Sequence, residues 1–283
     1  MRLRGVERFH CARDVDEALS LLHAYRGAGA LLAGGVDLAR MPRLDLKGLI
    51  DITAAGLGHV RLEDDGLHVG ATATLSQLLD DPRVRRHVGG FLARVLSQVA
   101  VRPLRNVATL GGAVVSGHPW ADIPTALVAV GAEISWTGDR PERASLEETY
   151  EGPFRKVFQR AVLTEVRLPV WDGAFAFQKI ARNATDIALL NCACGLGIAG
   201  GRVAWARVAV GATPARGHRL PWLEDALVGE TSGQDLWREA GRAVEGRLRV
   251  GDDRRAGADW RRAAAGTLVR RALAEAAERA AQG

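Results

Sequence analysis

Two short runs, Ala33-Gly34-Gly35 and Thr109-Leu110-Gly111-Gly112, are the residues best suited to meet a ligand through the backbone. Glycine lacks Cβ and readily adopts a positive φ, so each run can turn sharply and admit a group close to its main chain. Successive N–H groups in such a turn form a concavity suited to phosphate oxygens. Two turns of this kind can clasp a pyrophosphate from both sides. Neither run matches G-x-G-x-x-G or G-x-x-x-x-G-K-[ST], which removes the Rossmann and P-loop readings. A Gly-Gly pair on its own is more often an ordinary turn, so position and surroundings must supply the rest.

Thiol chemistry is sparse. The cysteines are Cys11, Cys192 and Cys194, an odd number that argues against a disulfide framework. Cys192 and Cys194 are two apart in NCACGLGIAG and share one face of a strand. With no second Cys pair or nearby His, they read as buried structural thiols rather than half of a metal site. No C-x-x-C pattern occurs, so the chain is expected to carry no iron–sulfur cluster. His118, beside the second glycine run, reads as a turn residue rather than a catalyst.

The elements that must position these runs follow from periodicity. A short extended piece near Arg8–His10 leads into a helix over ARDVDEALSLLHAYRGAG, with Asp14 or Asp16 as its cap. Val15, Ala18, Leu19, Leu21 and Leu22 share one helical face, and the glycines at 27–29 end it. ALLAGGVDLARM is an apolar strand running into the first glycine pair, and GLIDI is another buried strand. The opening is thus a small β-α-β-β unit. HVRLEDDGLHVGATATL has the alternation and Asp-Asp-Gly turn of a hairpin. TLSQLLDDPRVRRHVGGFLARVLSQVA is helical with a break near Asp81–Pro82. After the second glycine run, ADIPTALVAVGAEISW reads as a short helix and a strand, and AVLTEVRLP as another strand. FAFQKIAR and IALLNCACGLGIAGGRVAWARVAVGATP, with a turn at Gly200-Gly201, predict a three-stranded antiparallel meander. Beyond Pro221 the pattern is helical to the end, with an apolar stripe opposite Arg and Glu.

Composition sets the frame. The 283 residues suffice for two ordinary domains, and 47% hydrophobic with 25% charged residues is a globular composition. No apolar stretch approaches a bilayer span. MRLRGVERFH lacks the apolar core of a signal peptide, so a cytoplasmic location is expected. A net charge of +5 and a pI of about 9.6 raise a nucleic-acid role. The basic residues alternate with acids, as in DDRRAGADWRR, which is the pattern of a solvated surface; no nucleic-acid partner is expected.

Several segments, taken together, resemble the FAD-binding medium subunits of the xanthine dehydrogenase and carbon monoxide dehydrogenase (molybdenum hydroxylase) family. Leu32–Met41, LAGGVDLARM, followed by LIDI at Leu49–Ile52, resembles that family's first FAD loop, an AGGTDL-type segment before a similar strand. HVGATATLSQLLDDPRVR is also similar. RNVATLGGAVVSGHPWADIPTAL resembles the RN-x-ATIGGN…ADLPPAL region that forms the second FAD loop. KIARNATDIALLNCA resembles a K-x-x-R…DIA-x-VN segment, and VAVGATPARGHRL a strand of the C-terminal domain. The segments cover nearly the full length, in order and at natural spacing.

The resemblance implies an α+β fold. A two-part FAD-binding domain of PCMH type (vanillyl-alcohol-oxidase-like) over 1–171, with subdomains about 1–55 and 56–171, precedes a C-terminal domain over 172–283. That last domain, of carbon monoxide dehydrogenase flavoprotein type, holds the three-stranded antiparallel sheet and helices. It implies non-covalent FAD with its pyrophosphate between the backbone of Leu32, Ala33, Gly34, Gly35 and Val36 and that of Thr109, Leu110, Gly111, Gly112 and Ala113. Thr109 adds a hydroxyl donor. Asp122 matches the acid of ADLP, which accepts from flavin-side-chain hydroxyls, although taken by itself it reads rather as a helix N-cap before Ile123-Pro124. Leu163 matches a residue packing near the isoalloxazine, and Lys179 a basic residue whose charge favours the reduced, anionic flavin. Ala100 is a further backbone contact. Two departures stand out: Ala113 where the family commonly has Asn, and Val36 where Thr or Ser is common. The molybdopterin and 2Fe-2S clusters implied by the family belong to a large and a small partner subunit, in a dimer of heterotrimers. A stand-alone FAD oxidase or dehydrogenase of the same fold is the alternative, and a non-enzymatic nucleotide-binding protein a more distant one.

Overall fold

The computed structural model describes residues 5–40 and 45–282. In chain order the first elements are β1 (Arg8–Cys11), α1 (Val15–Ala24), β2 (Gly29–Leu32), β3 (Gly48–Asp51), β4 (Val60–Glu63) and β5 (Gly66–Gly70). Next come α2 (Leu75–Asp80), α3 (Pro82–Arg86), α4 (Phe91–Ser97), α5 (Arg102–Arg105), α6 (Leu110–Ser116) and α7 (Asp122–Ala129). They are followed by β6 (Glu133–Thr137), β7 (Pro141–Ser145), α8 (Leu146–Glu151), α9 (Phe154–Val157) and β8 (Val162–Leu168). The chain ends with β9 (Ala174–Ile180), β10 (Leu190–Ala199), β11 (Arg202–Gly211), β12 (His218–Arg219), α10 (Pro221–Leu227), α11 (Gln234–Arg247) and α12 (Ala258–Ala280). Among the described residues no helix is long and apolar enough to cross a membrane. Packing divides the chain into two units. One comprises Met1–Arg83, Val101–Ser116 and Ala132–Leu168; the other Val84–Ala100, Gly117–Gly131 and Pro169–Gly283.

The first unit contains two sheets. β1, β3 and β2 pair in that order, all parallel. Asp14 caps α1 by accepting the Glu17 N–H at 2.8 Å, and the helix buries Ala18, Leu19 and Leu22 with Ile50 and Ile52. The short apolar runs of β2 and β3 form strands because helix α1 covers them, as parallel pairing requires. The second sheet is antiparallel in the order β4-β5-β8-β6-β7. Its β4–β5 hairpin turns at Asp64-Asp65, and β5 is buried along its whole length. The segment after β5 then enters α2 through a capping box between Thr74 and Gln77.

The second unit is built on β9-β10-β11, the expected meander, extended at its edge by the two-residue β12. Cys192 and Cys194 are buried in β10 among Leu190, Leu196, Val208 and Val210. Leu268, Val269 and Leu273 of α12 and Trp237 of α11 close that core. α7 is buried at every residue, Asp122 to Ala129, and packs against β10 and β11; α4 packs against β9. Apart from Asp122 and Thr125, α7 is apolar on every side, so it must be enclosed.

Two features differ from the sequence reading. The helical stretch before residue 100 breaks a second time, where Val88, Gly89 and Gly90 take φ of 46°, 57° and 77°. The run between β6 and β8, with mixed polarity and no clean period, forms β7, α8 and α9; Ser145 caps α8 by accepting from Glu148 N–H at 3.1 Å.

Candidate FAD-binding site

The first glycine loop leaves β2 at Leu32. Gly35 has a φ of 68°, and Ala39 N–H donates to Gly35 O at 2.9 Å, closing the turn. The N–H groups of Ala33, Gly34, Gly35 and Val36 meet no acceptor among the described residues. These half-buried residues therefore present consecutive unspent donors around a left-handed glycine, the backbone arrangement that binds anionic oxygen. Backbone N–H groups sheltered from water call for a partner, and a phosphate supplies one. On that observation the loop fits a diphosphate.

The second loop is built differently. Thr109 forms an isolated antiparallel bridge with Thr74. Leu110 N–H donates to Ala73 O at 3.0 Å, Gly111 N–H to Ala71 O at 2.9 Å, and Gly112 N–H to Thr109 Oγ1 at 3.1 Å. Thr109 thus caps α6, and the amides of its first turn are satisfied within the chain. What this loop offers is the Thr109 hydroxyl, which still has its own hydrogen to donate. The sequence reading had both loops presenting amides; in the structure only the first does.

The glycines also serve another purpose. A Cβ on Gly34 would lie 1.8 Å from the Val107 carbonyl oxygen, and one on Gly111 would lie 2.6 Å from Ala71 O. The missing side chains let the first loop abut the segment leading into the second, and let the second abut the β5–α2 turn. The two loops, far apart in sequence, therefore adjoin in one corner of the first unit. Val36 and Ala113 bring no side-chain donor there, and Ala113 N–H is already bonded to Thr109 O at 3.0 Å. Leu163, in β8 opposite Trp136, is 4% exposed and belongs to the apolar interior.

In the second unit the structure assembles Asp122 and Lys179. Lys179 Nζ donates to Asp122 Oδ2 at 2.9 Å, Gln98 O at 2.8 Å and Asp186 O at 3.2 Å, which consumes its three hydrogens. Asp122 Oδ1 accepts from Asn191 Nδ2 at 2.7 Å, and Asn191 Oδ1 accepts from the Thr125 hydroxyl at 3.0 Å. Burial pushes the Asp122 carboxyl above the ordinary range, against the pull of Lys179 and Asn191. Asp122 is not the helix cap; Ala121 holds that position and Asp122 is the first residue of α7. Ala100 follows Gln98 closely and is held at φ 50°, a costly conformation for a residue with a Cβ. Sequence reasoning passed over Asn191, although an amide inside an apolar strand must find partners and was a signal to follow. His118 stacks on Trp120 with centroids 4.7 Å apart, and Arg255 lies over the same indole at 4.9 Å, so His118 is a packing residue. Arg182 and Asp186 form an ion pair at 3.0 Å.

A second polar cluster, unforeseen in the sequence, joins β4, β5 and β8. Glu165 accepts from His59 at 2.9 Å, His68 Nδ1 at 2.8 Å and Arg61 at 2.8 Å, while His68 Nε2 bonds Asp65 at 2.8 Å. Burial would lower the His68 pKa, but its hydrogen bonds to Asp65 and Glu165 outweigh that and raise it. Burial likewise works against the Glu165 charge, yet the histidines and Arg61 hold its pKa below the ordinary range.

The corner of unspent amides, set in a two-unit α/β architecture, is a backbone cradle suited to an anionic group such as a diphosphate. Comparison carries this further. Residues 4–171 match the family model described as the FAD binding domain in molybdopterin dehydrogenase, and residues 175–276 match the CO dehydrogenase flavoprotein C-terminal domain. The chain is 30% identical over 280 residues to the caffeine dehydrogenase subunit beta of Pseudomonas sp. (strain CBB1), covering 94% of this chain and 93% of that one. It is 28% identical to the carbon monoxide dehydrogenase medium chain of Hydrogenophaga pseudoflava, with 94% and 95% covered. The solved carbon monoxide dehydrogenase of Hydrogenophaga pseudoflava superimposes with a TM-score of 0.91 at 28% identity, over 97% of this chain and 98% of that one. Quinoline 2-oxidoreductase from Pseudomonas putida 86 gives 0.90 at 26% identity, over 99% of each. The chain belongs to the family of FAD-binding oxidoreductase subunits of molybdopterin dehydrogenases.

Proposed function

We propose that this chain is the FAD-carrying electron-transfer subunit of a heterotrimeric molybdenum hydroxylase, working beside a large molybdopterin subunit and a small 2Fe-2S subunit, in a dimer of heterotrimers. When bound, FAD supplies the exchange of electrons between the iron–sulfur clusters of a partner and an external acceptor. The reading is carried by the four unspent amides of Ala33–Val36 beside the Thr109 hydroxyl. In it, Leu32–Val36 grip one side of the diphosphate through the backbone. From the neighbouring loop, Thr109 donates a hydroxyl, while Leu110–Ala113 set the position of that hydroxyl. Leu163 gives the isoalloxazine an apolar neighbour. Asp122 accepts from hydroxyls of the flavin side chain, Lys179 fixes that carboxylate and contributes positive charge, and Ala100 offers its backbone. None of these residues works on the hydroxylated substrate as an acid or base. The boundary between the FAD-binding and C-terminal domains is proposed between residues 171 and 172.

The test is the visible spectrum. The purified chain titrated with FAD should hold it non-covalently and show flavin bands alone, whereas the complex isolated with its partners should add iron–sulfur absorbance. A chain that stays colourless in saturating FAD overturns the reading.

A further inference from the structure

Within the second unit, the Val88–Gly90 turn, the start of β9 and the last turn of α12 line a half-open cavity of about 430 Å³. Two guanidinium groups line it. Arg94 donates to Gly89 O and, at 3.0 Å, to Phe175 O, and no carboxylate lies within ion-pair distance of it among the described residues. Arg279 spends Nε and Nη2 on one oxygen of Glu275, at 2.9 and 2.8 Å. The other oxygen of Glu275 is taken by Gln178 at 2.7 Å. A guanidinium carries five N–H donors, so both arginines keep several unspent, Nη1 of Arg279 among them. Burial, reinforced by the charge of Arg279 and partly offset by that of Glu275, pulls the Arg94 pKa below the ordinary guanidinium range. Such a pair is relieved by an anion that accepts from both. Elsewhere the wall is small, at Gly173 and Ala174, or bears the exposed carboxylate of Asp172.

We propose that this cavity binds a small organic anion, bearing a carboxylate or a phosphate, whose charged end bridges Arg94 and Arg279 and whose other end offers hydroxyl or amine hydrogens to Asp172. The size lies within the range of small-molecule sites and exceeds what a bare inorganic anion fills. Nothing in this site depends on the flavin reading.

Trp171 and Trp205, with ring centroids 4.5 Å apart, give the site a reporter, since a Cβ on Gly173 would lie 2.6 Å from the Trp205 ring. The full chain is titrated with malate and, separately, with glycerol 3-phosphate, while tryptophan fluorescence is followed against sodium chloride of equal ionic strength. A saturable change with malate assigns a carboxylate ligand, and one with glycerol 3-phosphate a phosphate ligand. Arg279→Gln should weaken that affinity about tenfold, and Arg94→Lys comparably. Because Arg94 also holds the turn through Gly89, Arg279→Gln decides the matter if the other variant misfolds. No saturable response to either probe, a response matched by chloride, or an unaltered affinity in Arg279→Gln overturns the proposal.

Discussion

At the scale of single residues, the informative groups are the buried ones that hold each other. Lys179 and Asp122 have side chains only 5% and 6% exposed, so neither charge is solvated by water. Removing one partner of such a pair strands the other and costs about 3–5 kcal/mol, whereas removing both charges is close to neutral. Lys179→Met should therefore lower stability by about that amount in urea unfolding, and Asp122→Asn added to it should restore most of the loss. A Lys179→Met protein within about 0.5 kcal/mol of the parent would show that the pair is not buried as described. The Glu165 cluster makes a pH prediction. His68 has a raised pKa in the fold, so its contribution is complete below the ordinary histidine pKa and fades as pH rises through the folded value. Glu165 has a lowered pKa, so its contribution is present above the ordinary carboxylate pKa and fades as pH falls through the folded value. The cluster should support the β4–β5–β8 sheet best between roughly pH 4.3 and 6.5. Thermal unfolding against pH should show His68→Gln flattening the fall on the alkaline side; parallel profiles for both proteins would refute the assignment.

At the scale of elements, the glycine loops carry the argument. Gly34→Ala drives a Cβ into the Val107 carbonyl, which is backbone and cannot swing aside, so the two loops must part. The cost expected is about 1–3 kcal/mol, with FAD affinity falling at least about tenfold, or 1.4 kcal/mol. Gly246→Ala, in α11 with nothing within 4 Å of the new Cβ, is the control and should gain about 0.5 kcal/mol while leaving FAD binding unchanged. If Gly34→Ala binds FAD as the parent does, the loops are not the cradle. The flanking strands were legible because β2 and β3 are short apolar runs closed by turn residues. The loops were legible as candidates, but the use of their glycines was not. A gap that admits a phosphate and one that admits Val107 look identical in sequence. The turn at Val88–Gly90 was hidden for a related reason: a valine at φ 46° is imposed by its surroundings rather than chosen by its own preference.

For the whole molecule, sequence order and packing order diverge, and that is what a linear reading could not supply. Apolar periodicity identified α4 and α7 as helices but carried no information on which sheet would cover them. Both pack within the unit that contains the C-terminal sheet: Phe91 of α4 meets Phe175 at 5.2 Å between ring centroids, and α7 lies against β10 and β11. Asp122 depends on the same segment, since Lys179 comes from β9 and Asn191 from β10. A fragment comprising residues 1–171 ends where the family model of the FAD-binding domain ends. It would nevertheless leave α7, buried at every position, without its covering strands, and Asp122 without either partner. Exposure of this much contiguous apolar surface favours aggregation over a stable fold. The fragment should bind a hydrophobic dye strongly, lose a sharp thermal transition and fail to retain FAD, while the full chain does none of these. A fragment 1–171 that unfolds cooperatively and holds FAD as the parent does would mean that α4 and α7 find adequate cover without the C-terminal sheet, and the interleaved division of the chain would have to be abandoned.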